Sequence, residues 1–165
     1  MLFELKSVFL NVGEEKELSY QLDISDIDID GAFPFKSPVT VTATASNRAS
    51  LVTLALNCRF DYQRSCDRCG EQCTVEQNMA FAHKLAQTLV DEGNDDYIET
   101  PDFTIELDEV VISDILLSLP QKFLCSDDCR GLCPKCGKNL NLGDCGCDKR
   151  EIDPRLAILK QLMED

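Results

Sequence analysis

Hydrophobic residues alternate with polar ones along two stretches of the chain, which is the pattern of a β-strand with one buried face. One stretch, Val39–Ala45, alternates with threonines, and the other, Val52–Tyr62, places its apolar side chains on a single face. Residues 46–50 can form the turn between them. After a second turn at Cys66–Gly70, the same period continues to Leu85. The sequence therefore predicts an antiparallel meander of at least three strands.

The segment before residue 39 shows a weaker strand pattern. Apolar residues at positions 3, 5 and 8–10 suggest an opening strand, and residues 18–22 keep a period of two. Asp30-Gly31 is a turn sequence, and the prolines that bound residues 34–38 exclude a helix from that connection.

One helix is predicted after the sheet, ending before Pro120. Asp108 can cap its N-terminus, where Glu109 would also suit the positive end of the helix dipole. Its apolar residues follow the spacing i, i+3, i+4 and i+7, which predicts a stripe that packs on the sheet. The stripe consists of Ile112, Ile115, Leu116 and Leu119.

A second, short helix is predicted in residues 151–165. Asp153-Pro154 supplies an N-cap followed by proline at the first helical position. So short a helix is marginal alone, so we expect it to dock on its own domain or on a partner.

The net charge of the chain indicates which kinds of partner it could bind. The 165 residues contain 16 Lys+Arg and 30 Asp+Glu, a net charge of −14. Nucleic acids bind through neutralised phosphates, so the net charge does not support direct, nonspecific RNA or DNA binding unless a local basic patch departs from the average. An acidic surface suits basic partners, such as ribosomal proteins, although it could equally serve only to keep the protein soluble.

Residues 90–115 hold ten acids and no Lys or Arg. We expect residues 91–102 to form an acidic loop with solvated charges. The alternative is a docking segment that uses Tyr97 and Phe103.

The sequence shows no sign of a membrane segment or a secretory signal. No apolar run approaches the roughly 18 residues that a span requires, and the N-terminus lacks a basic lead and a cleavage site. We therefore expect a cytoplasmic protein with no membrane partner. Thiols stay reduced in that compartment, where clustered cysteines indicate metal or redox chemistry rather than disulfides.

Six of the ten cysteines lie between Cys125 and Cys147. Two C-x2-C pairs, at 66–69 and 133–136, are each followed by glycine. A zinc-binding C-x2-C turn curls its backbone toward the thiolates, and glycine permits the left-handed conformation that this often needs. Each pair therefore resembles half of a tetrahedral zinc site.

The cysteines divide into two predicted sites with two structural Zn²⁺ ions. Cys133, Cys136, Cys145 and Cys147 can close on one ion locally. Cys125 and Cys129 lack a local partner, so we expect them to join Cys66 and Cys69 in a second site that pins the tail to the sheet. A closed four-cysteine site leaves no position for water, so we expect structural metal and no enzyme.

Other chemistry-bearing residues have structural interpretations. Cys58, Cys73 and His83 fall on apolar strand faces, where buried core roles are expected rather than ligand roles. Basic residues beside the predicted ligands would offset thiolate charge, or form a small contact for rRNA. They are Arg68, Arg130, Lys135 and Lys138.

Together these elements predict an α+β fold: an antiparallel β-meander or barrel-like sheet with one packed helix, then a small zinc-binding tail and a short C-terminal helix. We expect three regions. Residues 1–123 form the β-rich α+β domain, residues 124–150 the cysteine-rich segment, and residues 151–165 the last helix.

Specific motifs then indicate a family. The middle turn has Cys66, Arg68 and Cys69 after a long strand, the tail has the pattern C-x3-C-x-GLCPxCGxNLN-x3-C-x-C, and DPRxxxLxxL follows from Asp153. In these features the chain resembles the YceD family, the large ribosomal RNA subunit accumulation proteins, in the form with a cysteine-rich tail. Nearly the whole chain takes part in the resemblance.

The resemblance implies a non-enzymatic role in accumulation or processing of large-subunit rRNA. It also implies basic ribosomal proteins or the precursor large subunit as partners, since the family's gene commonly neighbours that of a small zinc-binding protein of this subunit. The alternative from the residues is a redox-sensitive zinc-thiolate chaperone or thiol sensor, in which oxidation releases zinc.

Overall fold

A computed structural model of the chain describes residues 1–88 and 96–147. It contains seven strands, two α-helices and one 3₁₀ turn in these residues. In chain order they are β1 (Leu2–Glu4), α1 (Lys6–Leu10), β2 (Glu15–Leu22), β3 (Val39–Arg48), β4 (Leu51–Ser65), β5 (Gln72–Ala86), β6 (Tyr97–Glu99), β7 (Thr104–Glu106), α2 (Leu107–Ser118) and the 3₁₀ turn Leu140–Leu142.

The main sheet has five strands in the order β2-β3-β4-β5-β6. The predicted antiparallel meander is confirmed, since β2 to β5 pair antiparallel with their sequence neighbours. Only β6 runs parallel to its neighbour β5. Among the described residues β2 and β6 do not pair, so the sheet is open and does not close into a barrel.

The predicted alternation sets which face of the sheet is buried. On β4, Leu54 and Leu56 are completely buried, and Val41 and Ala43 are equally buried on β3. Threonine, asparagine and charged residues occupy the opposite face. Because neighbouring strands pair with these residues opposite one another, one face is continuous with the core.

The opening of the chain differs from the predicted single strand. β1 ends at Glu4, and α1 follows it from Lys6. Leu5 and Val8 are fully buried and Phe9 packs against the same core, a spacing of three and four residues that a helix places on one side. The apolar positions 5, 8 and 9 therefore follow the period of a helix rather than that of the predicted strand.

Helix α2 forms where predicted but begins earlier and is rotated. Its N-cap is Glu106 rather than Asp108, which lies in the first turn. Leu107, Val111 and Ile115 are fully buried. Of the other predicted stripe residues, Ile112 and Leu119 pack against the core, whereas Leu116 is 39% exposed. The chain enters α2 directly from β7, with no residue between the two elements.

The predicted acidic loop contains a strand. β6 pairs with residues 84–86 of β5, and the Lys84 ammonium lies 5.4 Å from the centre of the Tyr97 ring. Phe103 packs edge-on against Phe9 with ring centroids 5.5 Å apart. Both aromatic residues that suggested a docking segment thus contact this domain. Residues 89–95 lie outside the described residues.

The remaining structural predictions concern isolated residues and the chain's end. Cys58 is buried, and the His83 Nε2 atom lies 2.7 Å from an Asp114 carboxylate oxygen, so this histidine has a polar partner. The predicted helix of residues 151–165 lies outside the described residues. No α-helix in the described part of the chain is long and apolar enough to cross a membrane.

The rotation of α2 yields a matched pair of variants. Ile115→Ala removes a fully buried side chain and should lower the free energy of unfolding by about 2–5 kcal/mol. Leu117 is 84% exposed, so Leu117→Ala should change it by less than about 0.5 kcal/mol. Urea unfolding of the two variants measures both. Equal losses would contradict the packing described for α2.

Candidate metal centres

The first C-x2-C turn lies at the tip of the long β4–β5 hairpin. The strands pair without interruption from Val52 opposite Leu85 to Ser65 opposite Gln72, so the turn rests on a regular base. The Cys66 N–H donates to the Glu71 carbonyl at 2.9 Å, and the Gly70 N–H donates to the Cys66 carbonyl at 2.9 Å. These bonds close a tight loop with both cysteine side chains on it.

The second C-x2-C turn repeats this geometry in the tail. The Cys133 N–H donates to the Lys138 carbonyl, and the Gly137 N–H donates to the Cys133 carbonyl, each at 2.9 Å. Gly70 and Gly137 both have φ of 72°. The left-handed conformation that the sequence predicted for the glycine after each pair is therefore present at both turns.

The structure brings Cys66 and Cys69 together with Cys125 and Cys129. All four sulfur atoms lie within 4.8 Å of one another. The Cys66–Cys129 and Cys69–Cys125 sulfur separations are both 3.7 Å. Four sulfurs that bind Zn²⁺ at about 2.3 Å in a tetrahedron stand about 3.8 Å apart. A disulfide would need about 2.05 Å, so these separations fit a shared metal ion and not a cross-link.

The second group joins Cys133, Cys136, Cys145 and Cys147, again within 4.8 Å of one another. It is more open than the first group: three of the first four cysteines are buried, whereas Cys136 here is exposed. Both groups offer four thiols and could hold a metal ion.

Thiols within the first group differ in proton affinity. Burial opposes ionisation of Cys66, but N–H groups of Cys125, Cys69 and Arg68 outweigh it and lower the pKa of Cys66 to about 6. Contact with the Cys129 sulfur, together with burial, raises the pKa of Cys125 to about 12. Four adjacent thiolates repel one another, so some stay protonated unless a cation joins them.

The second group shows the same division. N–H groups of Cys136 and Lys135 lower the pKa of Cys133 to about 6. The side chain of Cys136 is the main cause that raises the pKa of Cys147 to about 12. A divalent cation would stabilise all four thiolates at once.

Contacts beside the first group attach the tail to the hairpin tip. The Asp67 N–H donates to the Phe123 carbonyl at 2.9 Å, and the Phe123 N–H donates to the Asp67 carboxylate at 2.7 Å. The Phe123 ring also packs edge-on against Tyr62 with centroids 5.4 Å apart. The Arg68 guanidinium donates to the Cys129 carbonyl at 2.9 Å. The chain is thus fixed on both sides of Cys125.

Asn141 has a role that the cysteine spacing did not predict. Its side-chain amide donates to the Cys129 sulfur at 3.3 Å, and its carbonyl oxygen accepts from the Arg130 N–H at 2.8 Å. The Asn141 amide also lowers the pKa of Cys129. Asn141 lies between Cys136 and Cys145, so the loop of the second group supports a sulfur of the first. Its place in the GxNLN motif was the available signal.

Gly131 makes the closest backbone approach between tail and hairpin tip. Its φ is 70°, and a Cβ atom there would lie 3.0 Å from the Arg68 carbonyl oxygen. The same carbonyl accepts from the Leu132 N–H at 3.2 Å. Only glycine combines this conformation with this spacing.

Two other cysteines stand apart from both groups. Cys73 packs beside the first group, and its sulfur donates to the Arg64 carbonyl at 3.5 Å. Burial raises the pKa of Cys58 to about 11, which suits its place in the core. Neither belongs to a four-sulfur set.

Comparison with known proteins agrees with the motifs. The family model described as "Large ribosomal RNA subunit accumulation protein YceD" matches residues 54–163, which include both candidate metal centres. The chain belongs to the YceD family. The matched residues begin within β4 and therefore include the hairpin tip and the whole cysteine-rich tail.

Individual relatives are similar to different extents. YlbN of Bacillus subtilis, an uncharacterised protein, is 33% identical over 130 residues, covering 78% of this chain and 76% of the relative. The chloroplastic YCED homolog 1 of Arabidopsis thaliana, a large ribosomal RNA subunit accumulation protein, is 26% identical over 162 residues, covering 80% of this chain and 50% of the relative.

An uncharacterised protein of Mycobacterium tuberculosis is 35% identical over 83 residues, covering 50% of this chain. The match spans only 40% of the length of that relative. No solved structure matches the chain.

Two glycine variants test the attachment of the tail. Alanine at either Gly131 or Gly137 must adopt a left-handed conformation, which costs about 1–2 kcal/mol. Gly131→Ala also forces the close contact with Arg68, whereas, apart from its chain neighbours, no atom of residues 1–88 or 96–147 lies within 4 Å of a Cβ at Gly137. Gly131→Ala should therefore lower the free energy of unfolding by more than Gly137→Ala. Urea unfolding followed by circular dichroism measures the difference, and equal losses would contradict the described contact.

Proposed function

We propose that this chain is a non-enzymatic factor for large ribosomal subunit biogenesis that supports accumulation or processing of large-subunit rRNA in the cytoplasm. Membership of the YceD family is the observation that carries this proposal, because the family description names accumulation of large-subunit rRNA. The Arabidopsis relative carries the same description. These names describe a contribution to ribosome assembly rather than a chemical reaction.

The proposal includes two structural Zn²⁺ ions. One is held by Cys66, Cys69, Cys125 and Cys129, and the other by Cys133, Cys136, Cys145 and Cys147. The sulfur separations of 3.7 Å in the first group support zinc there, and the matching glycine turns support it in both. Four thiolate ligands leave no open position for water, so the ions stabilise the fold rather than activate a substrate.

The zinc ions would also define the regions of the chain. In this proposal residues 1–123 form the domain that carries the hairpin, and residues 124–150 form a zinc-held segment attached to its tip. Residues 151–165 remain a predicted helix.

Basic ribosomal proteins, or the precursor large subunit that contains them, are the proposed partners. The net charge of −14 supports a basic partner over bare rRNA. Basic side chains of the tail already have local partners: Arg130 lies 3.6 Å from Asp144, and Lys138 donates to the Asp144 carbonyl at 3.0 Å. These contacts favour a structural role over direct rRNA contact.

The exposure of Cys136 favours a second candidate, a redox-sensitive zinc-thiolate chaperone or thiol sensor. An exposed thiolate is open to oxidants, and its oxidation would release the ion of the second site. Peroxide should then release zinc rapidly and give the protein antiaggregation activity. Zinc that stays bound under peroxide would exclude this candidate.

Metal content of single variants tests the two-site partition. The purified wild-type chain should contain two zinc ions, and Cys66→Ser and Cys133→Ser should each lose one. Each serine replaces one thiolate of a different closed site, which weakens that site most. Elemental analysis measures the content, with Cys58→Ser as the control that keeps both ions. If Cys66→Ser and Cys133→Ser removed the same single ion, the partition would be wrong.

Sedimentation from growing cells tests the role in assembly. The protein should comigrate with precursor large subunits in a sucrose gradient, as detected by immunoblotting, because the proposed partners are in those particles. A chain carrying Cys66→Ser should shift toward the top as the tail detaches. A wild-type protein found only at the top of the gradient would contradict the proposed function.

A further inference from the structure

In the described part of the chain, strand β5 has an unpaired edge over most of its length. One edge pairs with β4 from Gln72 to Leu85, whereas β6 pairs only with residues 84–86 on the other. Within residues 1–88 and 96–147, no backbone partner lies along the outer edge of residues 72–83. We call this stretch the β5 edge. An unpaired edge presents a row of N–H and C=O groups that another strand can bind.

The β5 edge lacks the protection that edge strands normally carry. Such strands are shielded by charged side chains, prolines or bulges. Glu76 is the one acidic or basic residue other than His83 in residues 72–83, and it is ion-paired with Arg59 of β4. By contrast, the opposite edge strand β2 carries Glu15, Lys16 and Glu17. The β5 edge is therefore the one suited to accept another strand.

The apolar row on β5 is also incompletely covered. Val75 and Phe81 face the core but are only half-buried, whereas their partners across the sheet, Tyr62 and Leu56, are buried. An added strand would cover the exposed part of these side chains. β5 thus carries apolar side chains typical of an interior strand, although it lies at the edge of the described sheet along residues 72–83.

Charge indicates the chemistry of the occupant. Near the end of the β5 edge, a groove between β5, β6 and α2 is lined by His83, Ile98, Glu109, Val110, Ser113 and Asp114. Glu109 is exposed there, and the chain as a whole has a net charge of −14. A second copy of this chain would bring two acidic surfaces together. A basic segment would instead complement both the groove and the net charge.

We propose that the β5 edge binds an extended, basic segment of a partner protein as an added strand. Main-chain hydrogen bonds to residues 72–83 would hold the segment, its apolar side chains would cover Val75 and Phe81, and a Lys or Arg would lie near Glu109. This inference depends on the proposed function in one respect only, namely that the partner is a ribosomal protein.

Binding of a synthetic peptide tests directly whether the β5 edge accepts a strand. The probe is a fluorescent peptide of about ten residues that alternates lysine and valine, a usual strand length. Binding to the full chain is followed by fluorescence anisotropy at about 0.15 M salt, where charges further apart than about 8 Å are screened. Control peptides replace every lysine by glutamate, or two valines by proline, which cannot pair within a sheet.

Two matched double variants distinguish an effect at the β5 edge from an effect of the change in net charge. Ala80→Lys with Ala82→Lys adds two charges on the exposed face of β5, and Ser19→Lys with Gln21→Lys adds the same two on the exposed face of β2. The β5 variant should bind the lysine–valine peptide about tenfold more weakly, a loss of about 1.4 kcal/mol. The β2 variant should match the wild type. Peptide binding should also slow amide hydrogen exchange in residues 73–83.

Several results would overturn the proposal. They are no binding of the lysine–valine peptide, equal binding of the control peptides, equal weakening by both double variants, protection on β2 instead of β5, or self-pairing of the chain through β5. Each leaves comigration with precursor subunits intact, so failure of the edge proposal is distinguishable from failure of the proposed function. Conversely, if the peptide binds but the protein does not comigrate with precursor subunits, only the proposed function is overturned.

Discussion

The sulfur atoms of Cys66 and Cys129 lie 3.7 Å apart, as do those of Cys69 and Cys125, where the tail meets the tip of the β4–β5 hairpin. The described part of the tail has little other means of holding its shape, because beyond Phe123 its buried side chains are two cysteines and Leu140. A segment of this size cannot bury enough apolar surface to fold alone. We therefore expect a metal ion shared by the four cysteines to stabilise the tail, as a hydrophobic core does in a larger domain.

The two candidate centres are mechanically linked. Asn141 belongs to the loop of the second group, yet its amide contacts the sulfur of Cys129 in the first. Gly131 lies between the groups and packs on the backbone of Arg68. If each group holds the proposed zinc ion, loss of the first ion would release the tail from the hairpin, while loss of the second would disturb a support of the first. The β5 edge and the groove beside α2 involve other residues of the sheet domain, so the proposed binding edge is separate from the two candidate metal centres.

Local pattern predicted most of the sheet and the division of the cysteines. Alternation gave β3, β4 and β5 their buried faces, and cysteine spacing with the following glycines predicted the two groups that the structure brings together. Contacts distant in sequence were not predictable. The exposure of Leu116 depends on how α2 packs on the folded domain, and the parallel pairing of β6 depends on a chain path that no local period encodes. The bond from Asn141 to Cys129 likewise joins residues through the folded tail.

The central claim is that Cys125 and Cys129 share one metal ion with Cys66 and Cys69. Cadmium-113 NMR of the Cd²⁺-substituted full chain tests it most directly, because scalar coupling links each ion to the β-protons of its own cysteine ligands. We expect two cadmium signals. One should correlate with Cys66, Cys69, Cys125 and Cys129, and the other with the remaining four ligands named for the second site. A signal that couples Cys66 to Cys133, or one that couples Cys125 and Cys129 only to cysteines of the tail, would contradict the account.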